Sequence, residues 1–195
     1  MNITIYTIGH SNLPYDKFTD FLRKFSVNLL VDVRSQPFSK YTPYFNKDSL
    51  INNLPKENIE YLFRGDKLGG RPKDSSLYEG GKASYSLISQ DPHFQEAIQD
   101  LIFIASKNRV AIMCSEKNPI NCHRFLLIGK SLKEKNVQVI HILSDGSTVT
   151  QEELEEKLKE SNDSQYCLFG KQQLESSYER QSAKVAYNLV TNKGK

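Results

Sequence analysis

The sequence predicts a single-domain α/β protein with a mostly parallel, doubly wound (Rossmann-like) sheet and flanking helices. Three observations lead there. Short apolar runs alternate with amphipathic runs of helical spacing. Polar clusters follow several of the apolar runs, and no repeat, low-complexity tract or interdomain linker interrupts the 195 residues. A chain of that length encloses one sizeable core and is short for two. Residues 1–160 are expected to form the α/β domain, and residues 161–195 a C-terminal extension whose helix docks on it.

Taken in order, Ile3 to Ile8 reads as a first strand running into Gly9-His10-Ser11-Asn12, and Phe18, Phe21, Leu22 and Phe25 then recur at helical spacing. Leu29 to Val33 is a second buried strand that closes in Asp32-Val33-Arg34-Ser35. The aromatic stretch Gln36 to Asn46 has no period; a short helix near Lys47 to Leu54 and a strand near Ile59 to Phe63 follow. Gly65 to Tyr85 carries five glycines and Pro72 without periodicity and reads as a long loop, a length that is usually functional or disordered. Phe94 to Ser106 is a helix, and Val110 to Met113 a buried strand. The helix after it runs from Phe125 through Leu132 and ends near Asn136, a residue that tolerates the left-handed capping conformation. Val137 to Leu143 is another strand, ending in Ser144-Asp145-Gly146. Thr150 and Glu153 have the spacing of a capping box and start a helix to about Glu160. After a polar break, Leu174, Tyr178, Gln181, Val185 and Leu189 mark a final helix.

Apolar residues at 38% and charged residues at 25% exclude a chain disordered throughout. No stretch approaches the roughly 20 apolar residues of a membrane span, so no membrane partner is expected. The N-terminus lacks a basic start followed by a long apolar core. A cytoplasmic protein is the expectation, and its three cysteines, an odd number, are expected to be reduced thiols. The net charge of +3 is concentrated: residues 34–82 hold nine bases against six acids, while the flanks balance. That excess suits an anionic partner, and suits a solvated face as well.

The segment Cys114-Ser-Glu-Lys-Asn-Pro-Ile-Asn-Cys122-His123-Arg124 gathers two thiols, an imidazole and a guanidinium between a strand and a helix. In an open α/β sheet, ligands bind outside the carboxyl ends of the strands, where this loop would lie. Cys114 is the candidate nucleophile, with its thiolate favoured by a helix N-terminus and by Lys117 or Arg124, and His10 or His123 as its base; an inert, packed cysteine is the plain alternative. Ten positions separate Cys114 from Arg124, too many for the short cradle of tyrosine phosphatases. Asp32, Glu116 and Asp145 are the acids near strand ends that could orient His10 or His141, or transfer protons. Arg34, Ser35, Arg71, Lys117 and Arg124 are candidates for holding an anion, with Gly69 and Gly70 allowing close backbone approach; Arg34 could equally pair with Asp32 or Glu116. Zinc is the alternative cofactor, because Cys114, Cys122, His123, His10 and His141 are ligand types it accepts. Cys122 and His123 could share an ion only if both lie in the loop before the helix, since neighbours on a helix diverge by about 100°. Cys122 need not act together with Cys114, since it stands where the helix starts and can simply pack there, and Cys167 is expected to be structural.

Thr7-Ile8-Gly9-His10-Ser11-Asn12, Val31-Asp32-Val33-Arg34-Ser35, Leu68-Gly69-Gly70-Arg71-Pro72, Tyr78-Glu79-Gly80-Gly81-Lys82, Cys114-Ser115-Glu116-Lys117 with Cys122-His123-Arg124, and His141-Ile142-Leu143 with Asp145-Gly146 appear in one order. Together with Leu168-Phe169 and Tyr178 to Tyr187, they resemble the microbial family catalogued as domain of unknown function 488. The resemblance covers nearly the whole chain and implies a fold more than an activity. Two functions are expected from the residues. One is an enzyme, cysteine-dependent or metal-dependent, acting as a transferase or hydrolase on a phosphate-bearing substrate such as a nucleotide or nucleic-acid component. The other is a non-catalytic nucleic-acid-binding module using the basic, aromatic segment 34–82, where Lys40 to Lys47 interleaves bases with aromatics.

Overall fold

A computed structural model describes residues 3–161 and 170–189 of the chain. Cys167 and the pair Leu168-Phe169 fall outside them. The strands are β1 (Thr4–Gly9), β2 (Leu29–Asp32), β3 (Glu60–Phe63), β4 (Tyr78–Glu79), β5 (Lys82–Ala83), β6 (Val110–Cys114), β7 (Gln138–Ile142) and β8 (Thr148–Thr150). The helices are α1 (Tyr15–Lys24), α2 (Lys47–Asn53), α3 (Gly65–Leu68), α4 (Tyr85–Gln90), α5 (Pro92–Ala105), α6 (Lys130–Glu134), α7 (Gln151–Ser161) and α8 (Gly170–Val185). Six strands form one sheet in the order β3-β2-β6-β1-β7-β8, parallel except for β8, while β4 and β5 make a separate antiparallel hairpin. This is the single-domain α/β fold that the alternation of runs predicts.

Side chains alternate across the pleat, and the apolar content of both faces is what buries the sheet on both sides. Ile5, Val31 and Ile112 point into a cluster with α5, α6 and α7, whereas Tyr6, Leu30, Ala111 and Met113 point into one with α1, α2 and Phe45. The helix after β1 therefore packs on one face, and the helix after β6 on the other. Because β1 and β6 are adjacent, their chains part at the carboxyl ends and leave a crevice there.

Glycine-rich residues 65–85 are more ordered than a long loop: they form α3, a single 3₁₀ turn at Ser75–Leu77 and the β4–β5 hairpin. Periodicity is invisible in elements of two to four residues. The edge strand β8 and the helix α4 are likewise too short to have registered as period. Asn136 does take the left-handed conformation, with φ of 59°. Thr150 and Glu153 form the expected capping box, with Thr150 N to Glu153 Oε2 at 2.7 Å and Glu153 N to Thr150 Oγ1 at 3.2 Å. The helix after the cysteine loop opens as a π-helical segment, Arg124–Gly129, before continuing as α6. No helix among the described residues is long and apolar enough to cross a membrane.

Candidate functional site

Strand register levels the three central carboxyl ends. Gly9 pairs with Cys114 and Asp32 with Met113, and the ladder continues past the strands through His10 N to Cys114 O at 2.9 Å and Val33 N to Met113 O at 3.1 Å. The residues immediately after β1, β2 and β6 consequently meet at one edge. They floor a cleft of about 1170 Å³ whose lining includes His10, Ser11, Arg34, Ser35, Gly70, Arg71, Cys114, Glu116, Cys122 and His123. Lys82, Tyr85, Lys184, Tyr187 and Asn188 form the facing wall.

At the floor, Cys114 and Cys122 are buried free thiols, and the Nδ1 atom of His123 lies 3.7 Å from each sulfur. Cys122 is brought there by a 3₁₀ turn at Pro119–Asn121 and its backbone is extended, so it lies in the loop, while His123, with φ of −59° and ψ of −21°, opens the helix. The two cysteines lie side by side, because the 3₁₀ turn folds the loop back onto the strand end. His123 Nε2 donates to Val33 O at 3.1 Å, which fixes the ring and aims Nδ1 at the sulfurs. A hydrogen bond from Cys122, opposed by burial and supported by His123 and Arg124, holds the Cys114 thiol well below its ordinary range. Burial and the neighbouring Cys114 push Cys122 well above it. For His123, burial opposes the charged form, but the Cys114 sulfur and the Val33 carbonyl outweigh it and raise the imidazole above its usual value.

His10 is not placed to act as a base. Its Nδ1 donates to Ser11 O at 2.9 Å and its Nε2 accepts from Arg34 Nη1 at 3.1 Å. Burial, then the Arg34 charge, lower it to about 4. Asp32 is fully buried and committed: it takes Arg34 Nε at 2.9 Å and Nη2 at 2.6 Å, plus the Tyr61 hydroxyl at 2.8 Å. Arg34 Nη2 also donates to Phe45 O at 2.7 Å. Of the two readings of Arg34, the pair with Asp32 is the one formed.

Arg124 has no exposed surface and lies beneath the loop, donating to the carbonyls of Glu116 at 2.6 Å and Lys117 at 3.1 Å. It props the turn after Cys114 from inside. Gly9 leaves room for this: a Cβ there would lie 1.9 Å from Glu116 O and 2.9 Å from Arg124 Nη2. Lys117 is exposed and outside the cleft lining. Gly69 packs under Ser35, whose hydroxyl accepts from Arg71 N at 3.1 Å, while Gly70 backs the His123 ring so closely that a Cβ would sit 3.2 Å from its Cγ. Asp145 caps the β7–β8 turn through Ser147 N at 2.9 Å and is not among the cleft residues. His141 is away from it as well, between Thr7 Oγ1 at 2.8 Å and Gln151 Oε1 at 2.9 Å.

A family profile described as Domain of unknown function DUF488 matches residues 14–130. The chain belongs to this family. No curated protein and no solved structure matches it. The DUF488 match spans α1 through the π-helical segment and so includes Arg34, Cys114, Cys122, His123 and Arg124, while His10 and the wall from α8 lie outside it. That wall was not legible in the sequence. Ala83 N donates to Tyr187 O at 2.9 Å and Leu189 N to Gly81 O at 2.8 Å, pairings between segments about a hundred residues apart that carry no local signal.

Proposed function

We propose that this DUF488 protein is an enzyme that takes a phosphate-bearing substrate, of the nucleotide class, into the cleft and reacts it at Cys114. One observation carries the reading: the Cys114 sulfur at the cleft floor faces the Nδ1 atom of His123, whose other nitrogen is tied to Val33. A thiolate there attacks an electrophilic centre of the substrate; the Nδ1 proton goes to the leaving group, and water releases the product in a hydrolase, or an acceptor in a transferase. Arg71, Lys82 and Lys184 border the same space and supply charge for an anion. Arg34 and Arg124 serve as supports, since Arg34 is held by Asp32 and Phe45 O and Arg124 by the carbonyls of Glu116 and Lys117. The test is iodoacetamide labelling of the chelator-treated full chain, followed at Cys114 by peptide mass mapping against pH. The expected midpoint lies well below the free-thiol value of about 8.5. A native Cys114 that stays unlabelled at every pH removes the thiolate reading.

A second reading, the non-catalytic nucleic-acid module, is favoured by the rim. Phe38 and Tyr41 border the cleft at 74% and 82% exposure, and Lys40 Nζ sits 5.2 Å from the Tyr41 ring centroid. Exposed rings beside cations suit stacked bases and phosphates. Its mark is binding of a single-stranded oligonucleotide whose affinity falls steeply with salt and is insensitive to Cys114→Ser; no binding at low salt ends it.

A further inference from the structure

We infer that Cys114, Cys122 and His123 also form a binding site for one thiophilic divalent cation of the zinc class, its fourth position open to the cleft. The three ligand atoms lie within 4.8 Å of one another and all three residues are buried. With metal–sulfur bonds of about 2.3 Å and metal–nitrogen bonds of about 2.0–2.1 Å, a tetrahedral sulfur-to-nitrogen edge is about 3.6 Å. Both observed separations from Nδ1 to sulfur are 3.7 Å. Both sulfur-to-nitrogen edges therefore match a tetrahedral ion, and the sulfur-to-sulfur edge, within 4.8 Å, closes to about 3.8 Å when the ion binds.

The surroundings suit an ion as well as the distances do. A metal-bound histidine usually donates its far nitrogen to a carbonyl or carboxylate, and His123 Nε2 does so to Val33 O at 3.1 Å. Two sulfurs and an imidazole select soft, tetrahedral ions over calcium and magnesium. The ligands come from the end of β6 and from the loop fixed by the 3₁₀ turn, and Gly70 packs against the ring from behind. Three protein ligands bordering a cleft leave the fourth position to water or a substrate atom, the pattern of catalytic rather than structural sites. The ion displaces the protons carried by the thiols and Nδ1, and it occupies the Cys114 lone pair. A loaded centre and an alkylatable Cys114 accordingly exclude each other.

This site rests on the preceding reading only for its cleft, and the two fail separately. The chelator-treated full chain is titrated with cobalt(II) and read by the thiolate-to-cobalt charge-transfer band and the visible bands of tetrahedral cobalt. One equivalent is expected. Cys114→Ser and Cys122→Ser should each lose the band and weaken binding by more than about 100-fold, while Cys167→Ser keeps it. No band in the natural sequence, or a band that survives in both the Cys114 and Cys122 variants, overturns the site. If a serine variant fails to fold, zinc protection of Cys114 and Cys122 from iodoacetamide in the unaltered chain decides instead: protection of both supports the site, and labelling unchanged by zinc overturns it. Labelling of Cys114 at low pH without cobalt binding overturns the metal site alone. Cobalt binding with an unreactive metal-free Cys114 overturns the nucleophile alone.

Discussion

His123 and His141 are both buried imidazoles at the sheet, and they have opposite uses. His141 has oxygen partners at both nitrogens, and the network runs on from Gln151 to Tyr178 at 2.7 Å, from Tyr178 to Glu155 at 2.9 Å, and from Glu155 to Lys133. It borders no part of the cleft. His123 has one satisfied nitrogen and one that faces two sulfurs beside open space. Burial and polarity are common to both, so neither marks a reactive site. What separates them is a valence left for something outside the protein.

The comparison can be broken in four places. The largest effect is expected from Arg124→Ala, which leaves a cavity and two orphaned loop carbonyls; stability measured by denaturant unfolding should fall by about 4 kcal/mol. His141→Ala comes next, at about 3 kcal/mol, through the unpaired Thr7 and Gln151 groups. If His141 is purely structural, the labelling rate of Cys114 stays within about twofold, and a larger change would merge the two histidines into one system.

Acid is the third probe. Burial lowers His10 to about 4 and His141 to about 3, from an ordinary 6.5. Between those values the unfolded chain binds protons that the folded chain refuses, so stability rises with pH through that window and is lost as pH falls. The loss from pH 6.5 to pH 4 should be on the order of 2 kcal/mol or more, and His141→Gln should flatten the slope. The smallest effect is expected from His123→Asn, which keeps a polar group near Val33. Its labelling of Cys114 near neutral pH should slow about tenfold, worth about 1.4 kcal/mol, with the pH midpoint moving up.

The strand ends were readable because β1, β2 and β6 are apolar runs bounded by polar words, and parallel pairing puts such ends level. The Thr150 capping box and the left-handed Asn136 were readable because each is a local rule. The division of labour among the candidates was not. Arg34, Arg71 and Arg124 look alike as residues, yet Arg34 is neutralised by Asp32, Arg124 holds carbonyls, and Arg71 borders the cleft with its guanidinium 4.5 Å from the Tyr187 ring. The place of Cys122 beside Cys114 was not readable because it depends on a 3₁₀ turn three residues long.

The π-helical stretch Arg124–Gly129 has a consequence for chain length. Phe125 O accepts from Gln151 Nε2 at 3.3 Å, and a Cβ on Gly129 would lie 2.3 Å from Gln151 Oε1, so this wide turn is locked against α7. A π turn holds more residues than an α turn. Deleting one residue between His123 and Lys130 would let this stretch close as α with its flanks still in register, whereas inserting one would swing everything upstream by about 100°. The spacing from Cys122 to α6 should therefore tolerate the loss of one residue better than the gain of one, and a homologue one residue shorter there is expected to keep the thiol pair ahead of an uninterrupted α-helix.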